Sequence, residues 1–157
     1  MYWTTARRIG GSSGIAAIAA VESSPDTVYA GAATGGVWKS LDGGITWRPV
    51  FDDQPVAAIG AIAIDRRNPS IVWVGTGEGN VRNSASVGNG IYRSLDGGES
   101  WTHLGLDGSE RIHRIVLHPD DSEVAWVAAL GREWGENPER GIFKTTDGGR
   151  TWRKVLY

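Results

Sequence analysis

One eight-residue string occurs three times in this chain, and that repetition limits its fold more than any other feature. Ser40-Leu41-Asp42-Gly43-Gly44-Ile45-Thr46-Trp47 returns as Ser94-Leu95-Asp96-Gly97-Gly98-Glu99-Ser100-Trp101 and as Thr145-Thr146-Asp147-Gly148-Gly149-Arg150-Thr151-Trp152. The aspartates are 54 and 51 residues apart. An aromatic, a base and a hydroxyl precede the aspartate each time: Trp38-Lys39-Ser40, Tyr92-Arg93-Ser94 and Phe143-Lys144-Thr145. The repeat extends upstream, where residues 15–31 align without a gap with 59–75 and 112–128. Tyr29, Trp73 and Trp126 fall in one column of that alignment.

Each unit contains four short apolar or alternating segments and none with a helical period, so all are read as strands. They are 14–21, 27–33, 37–40 and 47–50; then 58–64, 71–75, 90–94 and 101–104; then 111–117, 124–129, 141–145 and 152–156. Four strands at a period near fifty residues predict an all-β chain of three four-stranded antiparallel β-propeller blades, at 14–50, 58–104 and 111–156, within one segment 1–157. The 23 glycines fit the many turns this requires. In each string the aspartate is read as the acceptor of an Asx-type turn, Gly-Gly as the source of positive φ, and the tryptophan as packing across its blade. Ser40, Asp42, Gly44 and Trp47, with Ser94, Asp96, Gly98 and Trp101 and with Thr145, Asp147, Gly149 and Trp152, are therefore structural. Carboxylates repeated in register suit a scaffold, whereas an active site needs different residues at different positions.

The three strings resemble the Asp-box, or bacterial neuraminidase repeat, S/T-x-D-x-G-x-T-W. That repeat occurs in sialidases, sortilin-type receptor propellers, photosystem assembly factors and secreted bacterial propellers. Thr34-Gly35-Gly36-Val37-Trp38, Gly75-Thr76-Gly77-Glu78 and Asn137-Pro138-Glu139-Arg140-Gly141 look most like large bacterial sortilin-like or glycosyl hydrolase propellers. The resemblance implies a fold rather than a reaction, and a secreted or periplasmic location. It puts the aspartate turns between third and fourth strands, and ligands at the opposite end, on the strand two–three and interblade loops.

Propellers close with about 4–8 blades, so three blades leave two apolar faces open. Trp3 lies 12 residues before Ile15, as Trp47 does before Ile59, so residues 2–10 read as an extra fourth strand. This surplus is expected of an excised piece, or of a unit that completes its ring with copies of itself. A homodimer giving six blades is the favoured partner arrangement; a homotrimer would give nine.

The candidate ligand-face residues are Arg8, Glu78, Asn80, Arg82, Arg111, Glu133, Trp134, Glu136 and Arg140. Arg8 and Arg111 precede first strands and are expected near the central channel. Glu78, Asn80 and Arg82 belong to the long strand two–three loop of the second unit, and long loops are favoured places for function. Trp134 alone among eight tryptophans falls outside the repeat columns. It is either a surface on which a sugar or peptide side chain stacks, or an anchor filling a gap beside the blade. A sialidase would need three arginines for a carboxylate and a tyrosine–glutamate nucleophile pair. Arg8-Ile9-Gly10 lacks the proline of that family's Arg-Ile-Pro, and no such pair can be assigned.

Other chemistry is discounted. Net charge is −2, which gives no general pull toward nucleic acid or a membrane surface. No apolar run approaches the ~20 residues of a membrane span, and residues 1–14 lack the basic-then-apolar order of a signal peptide. There is no cysteine, and His103, His113 and His118 have no zinc-ligand spacing. Asp52-Asp53 and Asp120-Asp121 are short acidic turns that do not by themselves argue for calcium. Gly75-Thr76-Gly77-Glu78-Gly79 lacks the lysine and the following helix of a phosphate loop. No catalytic residue, cofactor or metal is assigned. The preferred function is a non-catalytic scaffold that presents loops to a protein or glycan; the alternative is a fragment of a sialidase-like glycoside hydrolase.

Overall fold

The computed structural model describes residues 14–79 and 85–157. The extra fourth strand expected at 2–10, and Arg8, Asn80 and Arg82, lie outside the described residues. Among the described residues, twelve strands form three four-stranded antiparallel sheets, each a meander in sequence order and called a blade below. The first blade comprises β1 (Ile15–Val21), β2 (Ser24–Ala32), β3 (Gly36–Ser40) and β4 (Arg48–Pro49). The second has β5 (Ile59–Ile64), β6 (Val72–Thr76), β7 (Ile91–Ser94) and β8 (Thr102–His103). The third has β9 (Ile112–Leu117), β10 (Ala125–Ala129), β11 (Gly141–Thr145) and β12 (Arg153–Leu156). A 3₁₀ turn, Asp107–Ser109, precedes β9.

Blades lie face to face, with first strands β1, β5 and β9 side by side on the inner edge. A middle strand is thus covered on both faces and reads as a continuous apolar run: Val72-Trp73-Val74-Gly75-Thr76 is buried throughout. The outer strands β4 and β8 have only two residues each, both exposed, shorter than the sequence suggests. Pro49 is tolerated in β4 because an edge strand needs no donor on its outer side.

The apolar clusters lie between the blades. Val21, Tyr29, Val37 and Phe51 of the first meet Ile59, Val72, Val74 and Tyr92 of the second. Ala61, Ile71, Trp73 and Ile91 of the second meet Ile112, Ile115, Ala125 and Val127 of the third. A blade therefore takes its stability mainly from its neighbours, as in other stacked repeats.

The three aspartate turns superpose in their hydrogen bonds. Asp42 Oδ1 accepts from Ser40 Oγ at 2.8 Å and from Thr46 N at 2.8 Å, and its Oδ2 from Thr46 Oγ1 at 2.5 Å. Asp96 is held by Ser94 and Ser100, and Asp147 by Thr145 and Thr151, in the same way. The two glycines of each turn have φ of 70° and 93°, 70° and 91°, and 71° and 92°, a region that glycine enters without steric cost.

In the second and third turns the tryptophan also serves the joint between blades. Trp101 Nε1 donates to Val50 O of the preceding blade at 2.6 Å, and Trp152 Nε1 to Leu104 O at 2.8 Å. The Trp152 ring meets Trp73 edge to face at 6.3 Å. A base in the third strand completes each joint. Lys39 Nζ donates to Gly97 O at 2.7 Å, beside Tyr29 Oη at 2.9 Å. Arg93 donates to Gly148 O at 3.2 Å and to Glu123 Oε1 at 2.8 Å. Burial pushes the Tyr29 hydroxyl up to about 12, so it keeps its proton at any ordinary pH.

The turns set an acid limit on the fold. Bonds from the hydroxyls of Thr46, Ser100 and Thr151, then from backbone N–H groups, hold the carboxyls of Asp42, Asp96 and Asp147 at about 2, against 3.8 ordinarily. The folded chain binds fewer protons than the unfolded one between those values. The contribution is complete above 3.8 and is lost as pH falls through about 2. An acid titration followed by tryptophan fluorescence should lose the fold in that window; replacing all three aspartates with asparagine should remove this component of the acid sensitivity. An unchanged acid midpoint in the triple variant would show that other groups set it.

Candidate functional site

In a meander of this kind the strand two–three loops and the interblade linkers emerge together, at the end opposite the aspartate turns. Glu78, Arg111, Glu133, Trp134, Glu136 and Arg140 all belong to that end. The loop after β6 folds back over the third blade. Gly77 N donates to Ala58 O at 2.8 Å, and Gly88 N to Glu110 O at 2.6 Å. Gly77 has φ of 90°, and a Cβ on it would stand 2.0 Å from Glu110 O, so only glycine allows this approach. Glu78 is buried, its Oε2 accepting from Ser86 N at 3.2 Å. It is part of the loop's internal wiring.

Arg111 is buried between two strand two–three loops. Its guanidinium reaches Ala85 O of one loop at 3.5 Å and Gly131 O of the other at 3.4 Å. Glu133 Oε2 at 3.3 Å and Glu110 Oε2 at 3.6 Å supply counter-charge. Arg111 Nε has no hydrogen-bond partner among the described residues. A buried arginine of this kind is held by fixed loops, and it fixes them in turn.

The loop after β10 is tied across its neck. Asn137 Nδ2 and Arg140 each donate to Arg132 O at 3.0 Å, and Arg140 Nε donates to Leu130 O at 3.0 Å. Arg140 therefore works as a strut. Tying the neck leaves the tip outside: Trp134 is 80% exposed, so its ring fills no gap, and Glu136 is exposed beside it. Arg111, Leu130, Gly131, Arg132, Glu133 and Arg140 line a cleft of about 140 Å³. That is below the ~300 Å³ at which small-molecule pockets usually begin. It admits one functional group, with Trp134 outside as the neighbouring surface.

Two features of this end escaped the sequence reading. A groove of about 420 Å³ runs over the first blade, between the β2–β3 turn and the linker to β5, lined by Trp38, Phe51, Asp52 and Gln54 among others. The second lies on the inner edge, where each first strand carries a β-bulge. Pairing skips Ala16, Gly60 and then His113. These residues line an inner groove of about 340 Å³, with Arg114 beside His113. The alignment held the signal, since His113 stands where the other units have alanine and glycine; bulges re-aim side chains in this manner. Among the described residues no cluster of histidine and carboxylates could hold a metal ion.

No family model matches the chain, and no curated protein matches it. Solved structures do. A GH74 enzyme of Niastella koreensis superposes with a TM-score of 0.67 at 25% identity, over 88% of this chain and 21% of that one. A GH74 xyloglucanase of Xanthomonas campestris gives 0.67 at 16%, over 92% and 22%. YCF48 bound to D1 peptide gives 0.63 at 16%, over 92% and 42%. The chain thus spans less than half the length of each, and it has the fold of β-propeller blades.

Arg111→Ala should destabilise the chain by about 3 kcal/mol, because Glu133 and two loop carbonyls lose their shared buried donor. Arg111→Lys should recover little, as an ammonium cannot span both loops. Denaturant unfolding measures both; a loss below about 0.5 kcal/mol for the alanine variant would remove Arg111 from this role.

Proposed function

We propose that this chain is a non-catalytic β-propeller binding segment whose ligand is a saccharide, held at the strand two–three loops of its third blade. We read its three turns as Asp-boxes, the scaffold that supports those loops. Trp134 carries the reading. A large, exposed, flat ring beside a cleft lined with arginines and a glutamate offers a sugar an apolar face to stack on and polar groups for its hydroxyls. The likeness at 25% identity to a GH74 enzyme favours a saccharide over a peptide.

The same likeness favours a second reading, a segment of a glycoside hydrolase. Retaining enzymes place two carboxyl groups ~5–5.5 Å apart and inverting enzymes ~6.5–9.5 Å apart. Of the three loop glutamates singled out, Glu78 is tied to the Ser86 amide and Glu133 to Arg111, which leaves only Glu136 exposed. That distribution supports binding rather than hydrolysis.

The test is an oligosaccharide array followed by titration of the best hit. Trp134→Ala should weaken binding at least tenfold, about 1.4 kcal/mol, and Trp134→Phe should retain most of it. Equal affinity in Trp134→Ala, or no saccharide bound at all, would overturn the proposal. Release of new reducing ends from the hit would transfer support to the hydrolase reading.

A further inference from the structure

We propose that the open face of the third blade and the open face of the first bind one another between two copies of this chain, head to tail, through the contacts that already join neighbouring blades within it. The inference is independent of the saccharide reading, because the ligand loops and these faces are different surfaces.

The two internal joints share three contacts. A third-strand base lies on a second-strand aromatic and reaches the first glycine carbonyl of the next turn: Lys39 on Tyr29 at 5.3 Å, reaching Gly97 O, and Arg93 on Trp73 at 5.0 Å, reaching Gly148 O. The tryptophan of that turn donates back to the end of the previous fourth strand, at Val50 O or Leu104 O. A first-strand isoleucine, Ile59 or Ile112, sits on a second-strand glycine, Gly31 or Gly75.

The outer faces carry the two halves of the same set. On the third blade, Lys144 lies over Trp126 at 4.9 Å, the arrangement of Lys39 and Arg93, yet its ammonium makes no hydrogen bond or ion pair among the described residues. On the first blade, Gly43 O occupies the place of Gly97 O and Gly148 O, since all three glycine N–H groups bond the same strand one–two turn. There Asp26 takes the position of Glu123, the partner of Arg93, and is exposed. A lysine and an aspartate thus stand ready where the internal joint has an arginine and a glutamate. Trp47 Nε1 is turned onto its own Gly44 O at 2.9 Å, while its equivalents bond a preceding blade. The position of Val50 and Leu104 is taken by Val155, which is exposed. Ile15 is 48% exposed where Ile59 and Ile112 are fully buried. Ile18, at the position of Ile62 and the buried Ile115, is 71% exposed.

One position departs from the set and predicts how tight the contact is. Ala128 stands where Gly31 and Gly75 receive the isoleucine. A Cβ at those glycines would fall 2.5 Å and 2.4 Å from the isoleucine Cγ2. Ile15 of a second copy therefore cannot seat as deeply on Ala128, and the contact between copies is weaker than either internal joint.

Light scattering over a wide concentration range should show masses above 16.8 kDa that rise with concentration. Lys144→Glu alone and Asp26→Lys alone should each stay monomeric, because each brings like charges together at the joint. An equimolar mixture of the two should assemble again, since both joints of a mixed pair then carry opposite charges. Ala128→Gly should tighten association several-fold. Far-UV circular dichroism confirms that each variant is folded. A limit at twice the chain mass means a six-blade pair and at three times a nine-blade ring; an unlimited series means the same contact without closure. A chain monomeric at every concentration, or an assembly indifferent to Lys144→Glu, would overturn the proposal.

Discussion

The glycine carbonyls at the corners of the second and third aspartate turns hold the molecule together. Each can serve because the turn behind it is rigid: both aspartate oxygens are filled, by hydroxyls on either side and by amides within the loop. The same turn is fixed to the strand one–two turn of its blade through the glycine N–H. Gly97 O is therefore presented at a set position, where Tyr29 and Lys39 both donate to it. A buried carbonyl that accepts two bonds, one from a charged donor, is worth more than a typical neutral pair. Without that anchor the apolar faces could slide on each other, since hydrophobic contact is not directional.

Fixing the blades at one end frees the other. The strand two–three loops lie far from the aspartate turns, so they can differ in length and content without disturbing the joints. The first blade turns through Ala33, Thr34 and Gly35 alone, while the third carries a loop long enough to hold Trp134 outward. Between the second and third blades the loops acquire a joint of their own, around Arg111. Its use of Ala85 O, Gly131 O and two glutamates makes the upper ends of these blades one unit.

Most of the scaffold could be read from the sequence because its period is long and its marks are rigid. Four strands per unit, antiparallel order and the turn chemistry all follow from the spacing of Asp42, Asp96 and Asp147. The destination of the tryptophan rings could not be read the same way. A repeat places a residue within its unit, but Trp101 bonds Val50, in the unit before it. Arg111 was legible as a residue of interest and not as a buried strut, because its partners come from two loops with no repeat to align them. His113 was passed over for want of metal-ligand spacing; what distinguishes it is a bulge, a property of strand pairing rather than of composition.

Ala128 stands where Gly31 and Gly75 make the closest approach between neighbouring blades. Gly31 and Gly75 each admit an isoleucine to a distance no Cβ would permit, and those two faces are buried within the chain. Other marks of the joint are kept on the third blade: the aromatic, the base lying over it, and Val155 at the end of the outer strand. Small changes at such a point of closest approach alter the strength of a contact while leaving its direction to the hydrogen bonds. An internal joint can be tight because its two faces are tethered and meet at no cost in translational freedom. A contact between separate faces must overcome that cost, so one methyl group there weighs more heavily on the outcome than it would inside the chain.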